Sequence, residues 1–157
     1  GTDNNAITIP TNPTPIIPTP TPNLLNLASI NSIASKNISY VGDAISYATT
    51  VSNVGNVPLG TYDVPVTVFT ELSPSVSFIP GSLSINNVPV NCVNPSQINL
   101  GILQPGDVRI ITYSVRVNNA CPNIVYNIQK LLYGYDPLYI GTSTFSVNGN
   151  IVMTYIN

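Results

Sequence analysis

The sequence contains no histidine and no tryptophan, and of its 157 residues only ten are charged: four Lys or Arg and six Asp or Glu. General acid–base catalysis draws mostly on histidine and on carboxylates or lysines tuned by their surroundings. The complete set here is Asp3, Asp43, Asp63, Glu71, Asp107, Asp136, Lys36, Lys130, Arg109 and Arg116, spread along the chain. No nucleophile stands at a familiar spacing from a base, and no His, Cys and carboxylate group shows metal-ligand spacing. An enzyme is not expected, nor a cofactor, nor a metal site. A net charge of -2 with no basic stripe excludes phosphate-driven binding to nucleic acid. Long hydrophobic runs are missing too, so membrane insertion is not expected.

What is present points to a folded, weakly charged surface. Hydrophobic residues make up 43%, which is ordinary for a globular chain. Mean hydropathy is +0.26. Solubility must therefore come from neutral Asn, Thr, Ser and Tyr. Such a surface repels copies of itself weakly, which suits a protein that assembles. The two cysteines, Cys92 and Cys121, form neither CxxC nor a zinc pattern. They read as one disulfide, within the chain or between subunits, or else as two buried thiols. An internal bridge would close a loop worth about 3–4 kcal/mol in the chain-entropy picture. The chain opens on Gly1 without a charged-then-apolar leader, so either a leader was removed or the chain is trimmed. The cysteine usage fits a secreted protein at a cell or spore surface better than a cytosolic one.

Two regions are expected, 1–23 and 24–157. Six of the 15 prolines fall in the first: Pro10, Pro13, Pro15, Pro18, Pro20 and Pro22. Proline removes the amide donor and fixes φ, so the Thr-Pro repeats predict polyproline II. At about 3.1 Å per residue, Pro10 to Pro22 would span roughly 40 Å. Ahead of it, Ile7 and Ile9 alternate onto one face.

From Leu24 onward the periodicity is two. Ile45, Tyr47, Thr49 and Val51 alternate, as do Ile111, Tyr113, Val115 and Val117. Val64, Val66 and Val68 alternate around Pro65, which predicts an edge or a bulge. The stretch Leu24 to Ile33 also reads as a strand. Asn86-Asn87 predicts a two-residue hairpin, and Asn148-Gly149, between Thr142–Val147 and Asn150–Ile156, gives the strongest hairpin signal in the chain. Short strands with regular turns predict an all-β, antiparallel immunoglobulin-like sandwich carrying an extended Pro/Thr-rich N-terminal arm. Alternating Tyr133 and Tyr135 read as core or cross-strand residues, or less simply as a binding strip.

The block Gly42-Asp43-x-Ile45-x-Tyr47-x-x-x-Val51-x-Asn53-x-Gly55-Asn56 resembles the opening of the bacterial and archaeal surface-protein repeat family called domain of unknown function eleven. Phe78-Ile79-Pro80-Gly81-Ser82, followed by Ile85-Asn86, is similar to its middle hairpin. Leu100-Gly101-x-Leu103-x-Pro105-Gly106-Asp107 is similar to its next turn. Asn127 with Leu131, Tyr133 and Tyr135 resembles its late strand. The likeness covers about residues 34–136. Glu71-Leu72-Ser73-Pro74 departs from the family's usual Asp-x-x-Pro, and a proline arm stands where members usually have neighbouring repeats. The resemblance implies a non-enzymatic immunoglobulin-like sandwich of an envelope or adhesin protein.

Some surface sandwiches join a Lys to an Asn through an isopeptide bond promoted by a buried acid. Lys36, Glu71 and Asn127 fall on roughly suitable strands. The chemistry would need a neutral, desolvated amine and a protonated carboxyl.

These features predict the structural subunit of an extracellular filament. The arm of one copy would pair with an open sheet edge of the next. Ile7, Ile9, Ile16 and Ile17 would fill apolar pockets there, giving a head-to-tail homopolymer. The other reading is a single binding or stalk module of a surface adhesin or envelope protein.

Overall fold

The computed structural model describes residues 23–157. The arm up to residue 22, including Ile7, Ile9, Ile16 and Ile17, lies outside the described residues. Twelve strands make up the rest: β1 (Ala28–Ala34), β2 (Ile38–Ser39), β3 (Ala44–Asn53), β4 (Val66–Leu72), β5 (Val76–Phe78), β6 (Ser84–Ile85), β7 (Val88–Pro89), β8 (Gln97–Gly101), β9 (Val108–Val117), β10 (Ile124–Tyr135), β11 (Ser143–Asn148) and β12 (Val152–Ile156). One sheet has the order β1-β3-β9-β6-β7, with β5 also on β9. The other runs β2-β12-β10-β4-β8, with β11 also on β10. Pairing is antiparallel throughout except β2 with β12. The fold is the all-β sandwich that the alternation predicts, and Leu24–Ile33 becomes a strand only from Ala28 on.

The two long alternating segments form the centre of the first sheet. Ile45, Tyr47, Thr49 and Val51 of β3 point inward, and so do Ile111, Tyr113, Val115 and Val117 of β9. A period of two puts every second side chain on the buried face. Tyr47 lies directly opposite Tyr113, with ring centroids 5.5 Å apart. Val66, Val68, Val125, Leu131 and Tyr133 close the core from the second sheet. Pro65 sits just ahead of β4, and the register shifts between Val66 and Thr67, which is the bulge expected there.

A buried polar seam joins the sheets. Ser32 Oγ donates to Gln129 Oε1 at 2.7 Å and Thr49 Oγ1 donates to the same oxygen at 2.5 Å. Gln129 Nε2 donates to Thr70 Oγ1 at 3.1 Å. Strands β1, β3, β10 and β4 thus share one satisfied network, which fixes the alignment of the layers.

The hairpin expectations divide. Asn86 and Asn87 have φ of 49° and 64°, and β6 pairs β7 around them as an Asn-Asn two-residue turn requires. Asn148-Gly149 forms no hairpin. Both β11 and β12 pair with β10 in the same antiparallel sense: Asn148 faces Lys130 and Val152 faces Asn127. Between those pairs, residues 149–151 oppose only Ile128 and Gln129, so one extra residue makes a bulge. A Cβ on Gly149 would come within 2.9 Å of the Gln129 carbonyl oxygen. The glycine serves close backbone approach here, and the twelve-residue β10 offers pairing to both flanks at once. The turn that reverses the chain is instead Asp136–Thr142, between β10 and β11.

Candidate functional site

The best-defined feature at the surface is the seat of the arm. The ladder between β1 and β3 continues past their ends: Val54 N–H donates to Leu27 O and Asn56 N–H to Leu25 O, both at 3.0 Å. The Asn56 side chain doubles this grip. Its Oδ1 accepts from Leu25 N–H at 2.7 Å, and its Nδ2 donates to Asn23 O at 2.7 Å. Gly55 makes the approach possible, because a Cβ there would stand 1.9 Å from the Leu25 carbonyl oxygen. From the opposite sheet, the buried Tyr133 donates its hydroxyl to Asn26 Oδ1 at 2.6 Å. Burial pushes the Tyr133 phenol up from its ordinary pKa. Residues 23–27 are therefore pinned from both layers, with Leu24, Leu25 and Leu27 about half exposed around the exit point.

The sheet edges are treated unequally. Along β1, Ser32 N–H and C=O both face outward, and the Asn150 amide takes both, at 2.8 Å each. Asn150 comes from the β11–β12 bulge, so the irregularity serves as a guard for an edge strand. On the far side of the first sheet, β7 is two residues long and ends in Pro89, which cannot donate to a ladder. Among the described residues, β5 and β2 are edges of only three and two residues, and two longer edges carry no such device. β8 pairs only with β4 and β11 only with β10. Neither contains a charge or a proline. In β8, Ile98 and Leu100 face the core while Gln97 and Asn99 are exposed. Since Thr70 N–H donates to Ser96 O, antiparallel alternation directs the backbone groups of Gln97 and Asn99 outward.

The structure does not bring Lys36, Glu71 and Asn127 together. Lys36 Nζ lies 3.4 Å from Asp43 Oδ2, and both side chains keep more than a third of their surface in water. The Ser39 hydroxyl, above all, holds the Asp43 carboxyl below the usual carboxylate range, with Tyr40 N–H and Lys36 adding to it. Asn127 is fully buried and accepts the Tyr113 hydroxyl, a bond across the two sheets. Glu71 is in register with Ile128, one position from the pair Leu72 and Asn127. One step of register turns a side chain to the other face, so Glu71 is exposed outside while Asn127 is inside. A charged surface Lys and a solvated Glu supply neither the neutral amine nor the protonated acid that the isopeptide needs.

Cys92 and Cys121 are free thiols in the structure, without the disulfide expected between them. Cys92 follows β7, half-buried against the core, and Cys121 is exposed on the β9–β10 loop. Of the tyrosine pair, Tyr133 is buried and Tyr135 half-buried, both core-facing rather than a binding strip. Among the described residues no group of three or more His, Cys, Asp or Glu could hold a metal ion, and no helix is long and apolar enough to cross a membrane. The arm seat was not foreseen. Its signal was the Asn53-x-Gly55-Asn56 block, but the partner, residues 23–27, shows nothing distinctive in the sequence.

Fold and edges together define the class: an antiparallel immunoglobulin-like β-sandwich whose residues 23–27 are held by both sheets. Solved structures with this architecture are a variant of BcpA, the major pilin subunit of Bacillus cereus, at TM-score 0.55 and 8% identity, and BslA, a bacterial hydrophobin, at TM-score 0.51 and 10% identity. The N-terminal domain of the Streptococcus gordonii adhesin Sgo0707 is similar at TM-score 0.50 and 13% identity. Each match covers 82–83% of this chain, and the chain spans 41% of the pilin, 32% of the adhesin structure and 95% of the hydrophobin. These likenesses show the fold. No family model and no curated protein matches the chain.

Proposed function

We propose that this chain is a structural subunit of an extracellular filament or surface appendage, secreted and displayed at the cell or spore surface. Copies join head to tail, the N-terminal arm of one pairing with an open edge of the next. The observation that carries this reading is the arm seat at Gly55-Asn56. A donated strand gains affinity when its departure point and direction are preset. The unguarded, uncharged edges β8 and β11 supply templates for an added strand. A similar sandwich belongs to a protein that is itself a major pilin subunit, and the likeness to the domain of unknown function eleven family points to the same cellular location.

Deleting residues 1–22 is expected to abolish filaments and leave a folded monomer, seen by negative-stain electron microscopy and light scattering. Replacing Ile7 and Ile9 by Asp should weaken assembly without unfolding the sandwich, since each buried Ile contributes up to about 1.5–3 kcal/mol per contact. Normal fibres from the arm-deleted chain would refute donation and leave the arm as a stalk.

A further inference from the structure

Strand donation leaves unused a cleft of about 520 Å³, walled by the β3–β4, β8–β9 and β10–β11 loops. Four of its side chains set its chemistry: Tyr62, Tyr139, Asp63 and Gln104. Tyr62 is 95% exposed and Tyr139 92%. Large aromatic rings normally bury most of their surface, as Tyr47, Tyr113 and Tyr133 do here, and the surface residues Tyr40 and Tyr155 still cover over two fifths of theirs. The rings of Tyr62 and Tyr139 support nothing in the fold. They stand in water beside a concavity.

The polar groups point the same way. The chain has six carboxylates in all, and two of them, Asp63 and Asp136, line this one cleft with no Lys or Arg among the lining residues. Asp136 Oδ1 already accepts Ile140 N–H at 3.0 Å and Gly141 N–H at 3.3 Å, which holds Tyr139 in its loop. Asp63 accepts no hydrogen bond and makes no ion pair among the described residues. A divalent cation does not fit, since calcium takes six to eight oxygen ligands and one of these two carboxylates is engaged. A flat apolar surface beside a carboxylate and an amide suits a different ligand. A pyranose ring offers a C–H face to an aromatic ring and hydroxyls that donate to carboxylate oxygens.

We propose that this cleft binds a neutral oligosaccharide of pyranose units. Tyr62 and Tyr139 stack against sugar faces, while Asp63 accepts and Gln104 exchanges hydroxyl hydrogen bonds. The unbalanced carboxylates repel sugar acids, so chains of uronic acids and sialylated glycans are rejected.

The test is a calorimetric or NMR titration of the purified chain with cellopentaose, maltopentaose and chitopentaose. Oligogalacturonate and sialyllactose serve as the anionic counterparts. At least one neutral chain should bind saturably and both anionic ones should not. Tyr62→Ala and Tyr139→Ala should each weaken binding about tenfold, the scale of one aromatic contact. Asp63→Ala should weaken it as well. All three side chains lie at the surface, so an unchanged urea midpoint verifies the fold of each variant. The proposal is overturned if no neutral chain binds, if the anionic chains bind equally well, or if the double tyrosine variant binds like the parent. Binding is read on soluble chain whether or not it polymerises, so this proposal and strand donation fail independently.

Discussion

Asn53 shows how much one side chain can organise. It is 2% exposed, and its Nδ2 donates to Val57 O at 2.7 Å and Leu103 O at 2.9 Å. Its Oδ1 accepts from Gly55 N–H at 3.0 Å. Its backbone exchanges bonds with the Pro105-Gly106-Asp107 turn, donating to Asp107 O and accepting from Gly106 N–H. The segments 42–56 and 100–107 therefore meet at this residue, which ties one turn to the other. Asn53→Ala is expected to cost about 2 kcal/mol or more, because a buried carbonyl loses its donor. Asn53→Asp should cost at least as much, since it also lacks the donor and would place a carboxylate among carbonyls. Urea denaturation of both variants measures this; a midpoint within error of the parent would contradict it. The same scale explains why the isopeptide reading failed. Strand position could be read for Glu71 and Asn127, whereas Lys36 falls in the link between β1 and β2; the one-residue register that puts Glu71 and Asn127 on opposite faces depends on pairing between distant strands.

Elements were legible where a local pattern had only one use. The alternations in β3 and β9 became the central pair, and Asn86-Asn87 became a turn because both residues adopt positive φ there. Asn148-Gly149 had two uses. A hairpin and a bulge both favour Asn and Gly, and the choice was made by β10, whose length no local window contains. Short strands such as β5, three residues against the end of β9, exist only because a partner is present. The bulge leads to a prediction at this scale. Asn150→Ala should release Ser32 N–H and C=O, opening β1 as a further available edge. Amide exchange at Ser32 should accelerate well beyond that at neighbouring β1 positions. Equal protection in parent and variant would mean that the Asn150 amide is not what shields this edge.

Across the whole molecule, the core couples folding to tyrosine protonation. Burial pushes the Tyr47 phenol from 10.0 up to about 12. Burial, with Tyr47 beside it, pushes Tyr113 higher still. A folded-state pKa above the unfolded one means stability that is complete below pH 10 and is lost as pH rises through the folded value. The sandwich should therefore unfold cooperatively in alkali, with phenolate absorbance from the core appearing together with loss of the β signal in circular dichroism. The Tyr47 hydroxyl has no partner among the described residues. Tyr47→Phe should thus leave neutral-pH stability unchanged or slightly raised and move the alkaline midpoint upward. A lowered neutral stability would show that the hydroxyl is hydrogen-bonded after all.

The arm seat also sets how this domain answers a mechanical pull. Tension applied at Asn23 along the strand axis passes first to the Asn56 bonds and then into β1, which is registered residue by residue against β3 from Ala28–Asn53 to Ala34–Tyr47. In that direction the rungs are sheared together, so the load is divided among all of them. A pull at right angles would break the same rungs one after another, beginning at Asn56. Strain along the arm is thus met by the strongest arrangement this sheet can offer, and sideways strain by the weakest.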